Sequence, residues 1–493
     1  MRRRLPSLAL TALLLAGCAI GPDYKRPPVA VPGAFRGQSP DDVTPATEAT
    51  SLGDLQWWEV FQDPELRGLI GRALARNFDV RIAVGRVLEA QAQVGIARAD
   101  QFPQVSGAVS GQSFRNSRNA FPVTPPPGKV SEDDFRMAGN FSFEIDLWGK
   151  LRRATEAARA QLLATEAARA TVTSTLVSQV ATAYFQLREL DFELEISRRT
   201  LTSRRASLRL VKLRRDAGIA SGLDVRQAEV LVNTAAAQIP DLERQIEQTE
   251  NLINLLLGES PGGVPRGLAL DGQVVVAAVP AGLPSALLER RPDIRQAEQQ
   301  LVAANANIGV AKALFFPQIT LTAQGGQESA ALARLFEGPS GFWAFGGQLL
   351  QPLFQGGRIW FNYRATKARQ EQAVAAYQQS VQSSFRDVSD ALVGYRKTRE
   401  FRVEQEALTS SLREYSRLST IRYRGGVASY LEVLDSDTKL FNAELDLAKA
   451  RRDELLASVQ LYRALGGGWR GLDEATTAAA ATSDTRAMAR NPR

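Results

Sequence analysis

Apolar residues recur at alternating steps of three and four positions along several long stretches of the chain. One series runs Leu176, Val180, Ala183, Leu187, Leu190 and Leu194, and a later one runs Val381, Phe385, Val388, Leu392 and Tyr395. A period near 3.5 predicts helices that pack against each other like coiled coils. The stretch 358–422 contains no proline and a single glycine. A helix of that length would reach about 100 Å, so we expect an elongated protein.

Shorter segments alternate apolar and polar residues with a period of two. The clearest case places apolar side chains at Phe141, Phe143 and Ile145, with polar residues between them. This alternation is typical of strands that present two different faces. It predicts two strands in each half of the chain, at about 103–118, 135–148, 317–326 and 342–354.

The order of these elements occurs twice along the chain. Residues 79–104 align with residues 293–318 at a shift of 214 positions, and 11 of the 26 aligned pairs are identical. Further along, Gly218-x-x-Ser221-x-Leu223 matches Gly426-x-x-Ser429-x-Leu431 at a shift of 208 positions. Matches in the same order over most of the chain indicate an internal duplication.

The two ends of the chain have compositions of their own. Residues 1–17 join three arginines to a short apolar run, as in a secretion signal, and Leu-Ala-Gly-Cys ending at Cys18 is similar to a bacterial lipobox. Cys18 would then carry a lipid at the start of the mature protein. An ordinary secretion signal with an incidental cysteine is the alternative. The expected organisation is a signal over 1–17, a proline-rich extended arm over 18–63, a first repeat over 64–260, a linker over 261–292, a second repeat over 293–466 and a disordered tail over 467–493.

Two residue counts restrict the chemistry. The 493 residues include no histidine and one cysteine. Catalytic triads that use histidine, HExxH zinc sites and paired-cysteine sites are therefore excluded. We expect no enzyme activity, no catalytic residue, no metal site and no cofactor other than a covalent lipid on Cys18. The formal charge falls from +7 to +4 when the three arginines of the acid-free segment 1–17 are removed, so we expect no nucleic-acid partner.

Four strands per chain are too few for a closed barrel in a membrane. Lipid offers no hydrogen-bond partners to an open sheet edge, and bacterial single-chain barrels begin at about eight strands. Three copies of the chain would supply twelve strands and twelve long helices. The predicted fold class is therefore mainly α with a small membrane β-barrel, completed by copies of the chain as a hollow duct.

Short motifs from residue 18 to residue 469 resemble one known family. They read Cys18-x-x-Gly21-Pro22-x-Tyr24-x-Arg26-Pro27, Trp57-Trp58-x-x-Phe61-x-Asp63-Pro64-x-Leu66, Glu144-x-Asp146-Leu147-Trp148-Gly149, Leu288-x-Arg290-Arg291-Pro292-Asp293-Ile294, Ala304-Asn305-Ala306-x-Ile308-Gly309 and Leu465-Gly466-Gly467-Gly468-Trp469. Together they are similar to the outer-membrane factors, and most of all to the NodT-type, OprM-like lipoproteins of the TolC superfamily.

The resemblance implies an architecture and a role. The architecture is a homotrimer with a twelve-stranded outer-membrane β-barrel, a long periplasmic α-barrel and a mixed α/β equatorial belt that includes the linker. The role is passive export of drugs or other small toxic compounds across the outer membrane. The implied partners are a periplasmic adaptor, or membrane fusion protein, and an inner-membrane RND transporter. The implied location is the outer membrane, with the lipid of Cys18 on the periplasmic side.

Two turns between long helices are the candidate control points. Glycine allows the positive φ that ends a helix, and Ser429 is placed to cap the helix that follows. The resemblance implies a periplasmic gate formed by Asp435 and Glu432, which share one helix face. It also implies contact with the adaptor through Gly218, Ser221, Leu223, Gly426, Ser429 and Leu431. The alternatives are a well-capped helical hairpin without further function and acids that are simply solvated.

Other functions of the same architecture remain open. A channel for type I protein secretion or for metal-ion efflux would use the same fold with a different cargo. A lipid-anchored coiled-coil scaffold without a pore is a third reading. The sequence does not distinguish the cargo, because selectivity belongs largely to the pump.

Overall fold

The predicted helices and strands are present in a computed structural model that describes residues 19–36, 51–115, 131–273 and 284–469. Within these ranges the helices are α1 (Trp57–Val60), α2 (Pro64–Arg76), α3 (Phe78–Ala99), α4 (Lys150–Asp216), α5 (Gly222–Leu257), α6 (Leu287–Arg290), α7 (Pro292–Ala313), α8 (Arg358–Arg424) and α9 (Tyr430–Ala464). The strands are β1 (Gln104–Arg115), β2 (Ser131–Ile145), β3 (Gln318–Ser329) and β4 (Gly341–Leu350). None of the helices in the described ranges has the length and apolar composition that a membrane crossing requires.

Several bounds differ from the sequence expectations. The second strand was expected over 135–148, but β2 ends at Ile145. The carboxylate of Asp146 instead accepts hydrogen bonds from the backbone N–H groups of Leu151 and Arg152, at 3.1 and 2.9 Å, and so caps the start of α4. The last strand was expected to reach residue 354, but β4 ends at Leu350. In both places the chain leaves the sheet before its alternating pattern ends.

The arm and linker also contain short regular elements. The segment 18–63 was expected to be extended throughout, but it contains a 3-10 turn at Leu52–Asp54 and the helix α1. The linker 261–292 contains two further 3-10 turns and α6. Residues 1–18, the end of the first predicted strand at 116–118, and residues 470–493 of the tail lie outside the described residues.

The compact units of the protein are not the two sequence repeats. One unit, called here the sheet unit, consists of the described residues within 1–28, 86–165 and 296–377. The other, the helical unit, consists of the described residues within 29–85, 166–295 and 378–493. Each unit therefore draws on both repeats. Duplication produced two copies of one element order, and packing brought the like parts of the two copies together.

The sheet unit contains a four-stranded antiparallel sheet in the order β1-β2-β3-β4. The central pairing, β2 with β3, joins the first repeat to the second, with Phe141 opposite Ala323. The segment that follows Cys18 lies along the same unit. The backbone N–H of Ile20 donates to the carbonyl of Trp148 at 3.0 Å, and Arg26 forms an ion pair with Glu298 at 2.5 Å. The start of the arm is thus held by groups from both repeats.

The helical unit contains a large hydrophobic core, which collects buried residues of α2, α4, α5, α8 and α9. The carboxylate of the buried residue Asp63 forms hydrogen bonds with groups from three segments of this unit. Its carboxylate caps α2 and accepts hydrogen bonds from the Tyr184 hydroxyl and the Gln273 amide, both at 2.8 Å. Burial alone would raise the pKa of Asp63, but these hydrogen bonds outweigh burial and lower it. The charged carboxylate therefore ties the linker to α2 and α4.

Candidate functional site

The sheet has one apolar face and one polar face. The register places the residues of each face opposite one another across all four strands. The apolar face includes Val105, Val109, Met137, Phe141, Phe143, Leu321, Ala323, Trp343, Phe345 and Leu349. The polar face includes Gln104, Ser106, Ser110, Asn140, Ser142, Thr320, Thr322, Gln324 and Gln348. Apolar and polar residues alternate within each strand, and the strands pair without a slip in register. The apolar residues of neighbouring strands therefore share one face of the sheet and the polar residues share the other.

The apolar face has no covering element within the described chain. Val109, Trp343 and Phe345 are 78%, 77% and 80% exposed, and the two aromatic rings stack at 5.9 Å between centroids. The opposite face carries charge. Arg136 donates to Gln324 at 2.7 Å and lies 4.5 Å from the centre of the Phe342 ring. One side of the sheet is therefore suited to an apolar environment and the other to water.

The two helix turns repeat the same backbone. Gly218 ends α4 and Gly426 ends α8, each with φ of +74°. In the first turn the N–H of Ile219 donates to the carbonyl of Arg214 at 2.8 Å, and in the second the N–H of Val427 donates to that of Arg422 at 3.0 Å. This is the Schellman arrangement, in which a residue with positive φ lets the last carbonyls of a helix be satisfied.

The caps that follow these turns differ. The Ser221 hydroxyl accepts a hydrogen bond from the N–H of Asp224 at 3.1 Å, and the Asp224 carboxylate accepts one from the N–H of Ser221 at 2.9 Å. This is a capping box, with each residue satisfying the other's backbone N–H. Ser429 was expected to cap α9, but its side chain makes no capping hydrogen bond. Glu432 corresponds to Asp224 of the first repeat at the shift of 208 positions. Its carboxylate does not complete a capping box and lies 3.7 Å from the guanidinium group of Arg422.

The predicted adaptor residues lie on an exposed surface at these turns. Leu223 is 67% exposed and Leu431 is 59% exposed. Ile219 and Val427, which follow the two glycines, are also exposed, although the sequence motif did not single them out.

The two turns are joined by a small core of their own. Val211, Val225 and Ala228 from the first repeat pack with Tyr423, Tyr430 and Val433 from the second. Arg214 donates to the carbonyl of Tyr423 at 3.1 Å and lies 4.6 Å from the centre of its ring. The four exposed apolar residues therefore belong to one connected end of the helical unit.

Asp435 has two partners that the sequence analysis did not identify. Its carboxylate accepts a hydrogen bond from the Tyr415 hydroxyl at 3.1 Å and pairs with the Lys439 ammonium at 2.8 Å. The hydrogen bond from Lys439 lowers the pKa of Asp435, and the bond to Asp435 raises the pKa of Tyr415. Lys439 was detectable from its i+4 spacing. Tyr415 was not, because it lies on α8.

Comparison with known proteins identifies the family. The family described as outer membrane efflux protein matches residues 69–259 and 283–467. The solvent efflux pump outer membrane protein SrpC of Pseudomonas putida is 38% identical over 476 residues, which are 95% of this chain and 98% of SrpC. The cation efflux system protein CusC of Escherichia coli is 36% identical over 463 residues, which are 93% of this chain and 97% of CusC. The chain therefore belongs to the outer membrane efflux protein family.

A solved structure agrees with this assignment. The open state of the MtrE outer membrane channel of Neisseria gonorrhoeae matches with a TM-score of 0.82 at 32% identity, over 92% of this chain and 99% of MtrE. The expected family, the mainly helical fold class with a small sheet and the outer-membrane location are confirmed. The roles of Cys18, Asp435, Glu432 and the turn residues stay predictions, and Cys18 lies outside the described residues.

Proposed function

We propose that this protein is the exit duct of a three-part efflux pump, open to the outside through the outer membrane. The duct conducts passively, and an inner-membrane RND transporter supplies the energy. The observation that carries the proposal is the sheet with one apolar and one polar face. An outward apolar face suits lipid, and an inward polar face suits a water-filled channel.

The free edges of the sheet support assembly from copies. In the strand order, β1 and β4 each have one neighbour among the described strands. A sheet edge left open in lipid costs several kcal/mol for each unsatisfied group, on the order of the desolvation cost of a peptide. In a homotrimer, β1 of one copy pairs with β4 of the next, which gives twelve strands and no free edge.

Substitution on the two faces of β4 tests this arrangement. Phe345 and Ala344 are neighbours in sequence and point to opposite faces. F345D should prevent stable membrane insertion, because a charge facing lipid is strongly unfavourable. A344D, the matched control, should insert and conduct in planar bilayers. Equal tolerance of both variants would contradict a lipid-facing apolar side.

The exposed turns are the proposed docking surface for the periplasmic adaptor. Leu223 and Leu431 present apolar side chains beside the left-handed glycines Gly218 and Gly426, and Ser221 and Ser429 begin the helices that follow. Leu223→Glu should abolish drug resistance in cells while leaving the trimer and its membrane insertion intact. Arg226→Ala, on an exposed residue of the same helix, is the control. Resistance that survives Leu223→Glu and Leu431→Glu together would argue against docking here.

Cys18 is the proposed lipid attachment site. The residues directly after it, from Ile20 to Arg26, are held against the sheet unit, so a lipid on Cys18 would start close to Trp148, in the connection between β2 and α4. Mass spectrometry of the mature protein should find acyl groups on Cys18. An unmodified mature chain that begins elsewhere would overturn the assignment.

The proposed cargo is small toxic organic compounds. SrpC is named for solvent efflux, and CusC, named for cation efflux, makes metal cations the second candidate. A strain that lacks this gene should become sensitive to solvents and antibiotics, with resistance restored by the gene. Sensitivity to metal salts alone would favour the second candidate, and loss of a secreted protein would favour type I secretion.

A further inference from the structure

Helix α4 carries two buried glutamates that the proposed duct does not use. Glu189 and Glu193 are 2% and 4% exposed. Their i, i+4 spacing places them on one face of the helix. Their carboxyl groups lie within hydrogen-bonding reach of each other. Two buried carboxylates in contact are costly when both are charged, so this pair requires either a shared proton or strong positive partners.

The positive partners that face the pair come from α9. Arg452 lies 3.3 Å from Glu189, and Lys449 lies 3.9 Å from Glu193. Each cation is shared with a second acid, Asp453 for Arg452 at 2.9 Å and Asp446 for Lys449 at 3.9 Å. The negative charge of Glu193 is therefore balanced less strongly by a nearby cation than the negative charge of Glu189.

Glu193 also has an unsatisfied oxygen. Its Oε1 is buried and takes part in no hydrogen bond, and neither does the buried hydroxyl of Ser197 one turn further along. Burial, together with the nearby charge of Glu189, raises the pKa of Glu193 to about 7. A protonated Glu193 can donate a hydrogen bond to the Glu189 carboxylate, which would leave one negative charge on the pair.

We propose that Glu189 and Glu193 share one proton and make the contact between α4 and α9 sensitive to pH near neutrality. While the proton is present, Arg452 balances the single remaining charge. When it leaves, two adjacent carboxylates face α9, and the contact between the two helices loosens. The pH sensitivity of this helix contact does not depend on the proposed export function.

The direction of the pH effect follows from the raised pKa. In the unfolded chain Glu193 has its ordinary pKa, about 4.3. Between that pH and about 7 the folded protein keeps a proton that the unfolded chain has lost. The stabilising effect of the proton is therefore complete below about pH 4, declines as the pH rises and is gone above the folded pKa.

Infrared spectroscopy of the full-length protein in lipid tests the shared proton directly. A carboxylic-acid carbonyl band should disappear with a midpoint near pH 7 in the wild type and in E195Q, the matched control. Glu195 lies on the same helix and is exposed. The band should be missing in E193Q, and in E189Q its midpoint should move to lower pH because the neighbouring charge is gone.

Hydrogen exchange measures the consequence for the helices. Amides of α9 around Lys449 and Arg452 should exchange several-fold faster relative to the intrinsic rate at pH 8 than at pH 6 in the wild type, and at equal relative rates in E193Q. If no carboxylic-acid band titrates between pH 6 and pH 8 in the wild type, the proposal is wrong. Because that measurement needs no variant, misfolding of E193Q would not leave the question open.

Discussion

The turn between α4 and α5 and the turn between α8 and α9 share one backbone and differ in their side chains. Both end a helix with a glycine at φ of +74° and the same Schellman hydrogen bonds. The first turn closes with a capping box between Ser221 and Asp224. The second leaves Ser429 without a capping bond and directs its acid, Glu432, toward Arg422. After duplication, the backbone geometry was retained and the polar side chains were free to take other partners.

The charged cluster at Asp435 exists in one repeat only. At a shift of 208, Asp435, Tyr415 and Lys439 correspond to Gln227, Ser207 and Leu231. Leu231 is buried, whereas Lys439 is exposed and pairs with Asp435. Both repeats need the residues that end a helix, whereas only the second repeat carries the charged cluster at the predicted gate residue Asp435.

The largest difference in stability between matched variants of the two turns should appear at Arg214 and Arg422, which correspond at the shift of 208 positions. Arg214→Met removes a hydrogen bond to the Tyr423 carbonyl and the stacking on its ring, and should lower the free energy of unfolding by about 2 kcal/mol. Arg422→Met removes only an exposed pair with Glu432 and should cost about 0.5 kcal/mol or less. Chemical unfolding of the two purified variants measures both. Equal losses would mean that Arg214 does not join the turns.

Substitution of either turn glycine should lower the stability of the protein by a similar amount. Gly218→Ala and Gly426→Ala each place a side chain at φ of +74°, where an L-residue pays about 1–2 kcal/mol. Thermal unfolding should show similar decreases for both variants. Gly394→Ala, in the middle of α8, is the control and should be neutral or stabilising. A loss at one turn only would show that the two backbones are less alike than the structure indicates.

Alanine substitution of the two serines, Ser221 and Ser429, should lower stability by different amounts. Ser221→Ala removes a capping hydrogen bond and should cost about 1 kcal/mol. Ser429→Ala removes no such bond and should change stability by a few tenths of a kcal/mol at most. The difference between the two unfolding midpoints is the measurement. A cost at Ser429 that matches the cost at Ser221 would indicate that it caps α9 in the assembled protein.

The smallest effect should be the pH response of Asp435. Lys439 lowers the pKa of this carboxyl below its unfolded value. Its stabilising effect is therefore present above the unfolded pKa and is lost only in acid, as the pH falls through the folded pKa. Asp435→Asn should alter the cation selectivity of single channels equally at pH 8 and pH 6. A selectivity change confined to pH 8 would show that assembly raises the pKa of Asp435, as in a ring of like charges.

Sequence reasoning succeeded where one local rule decided the outcome. The glycine turns followed from the helical need for a positive φ, and the long helices followed from the 3.5 period. The predicted end of the second strand was wrong, because Asp146 caps α4 instead of extending β2. The cap at Ser429 was wrong because local spacing shows that a hydroxyl is available and does not show which bond it makes.

The sequence by itself determined the element order, the duplication, the turn glycines and the family motifs. These depend on residues near one another in the chain or on a repeated pattern. Only the tertiary structure decided which parts of the two repeats pack together, that Tyr415 reaches Asp435 and that Glu189 and Glu193 face Arg452 and Lys449 of α9. The physical reason is that burial and charge pairing between distant segments depend on how helices are rotated against each other. The periodicity within one helix indicates which face is buried, but it does not specify which residues of a neighbouring helix meet that face.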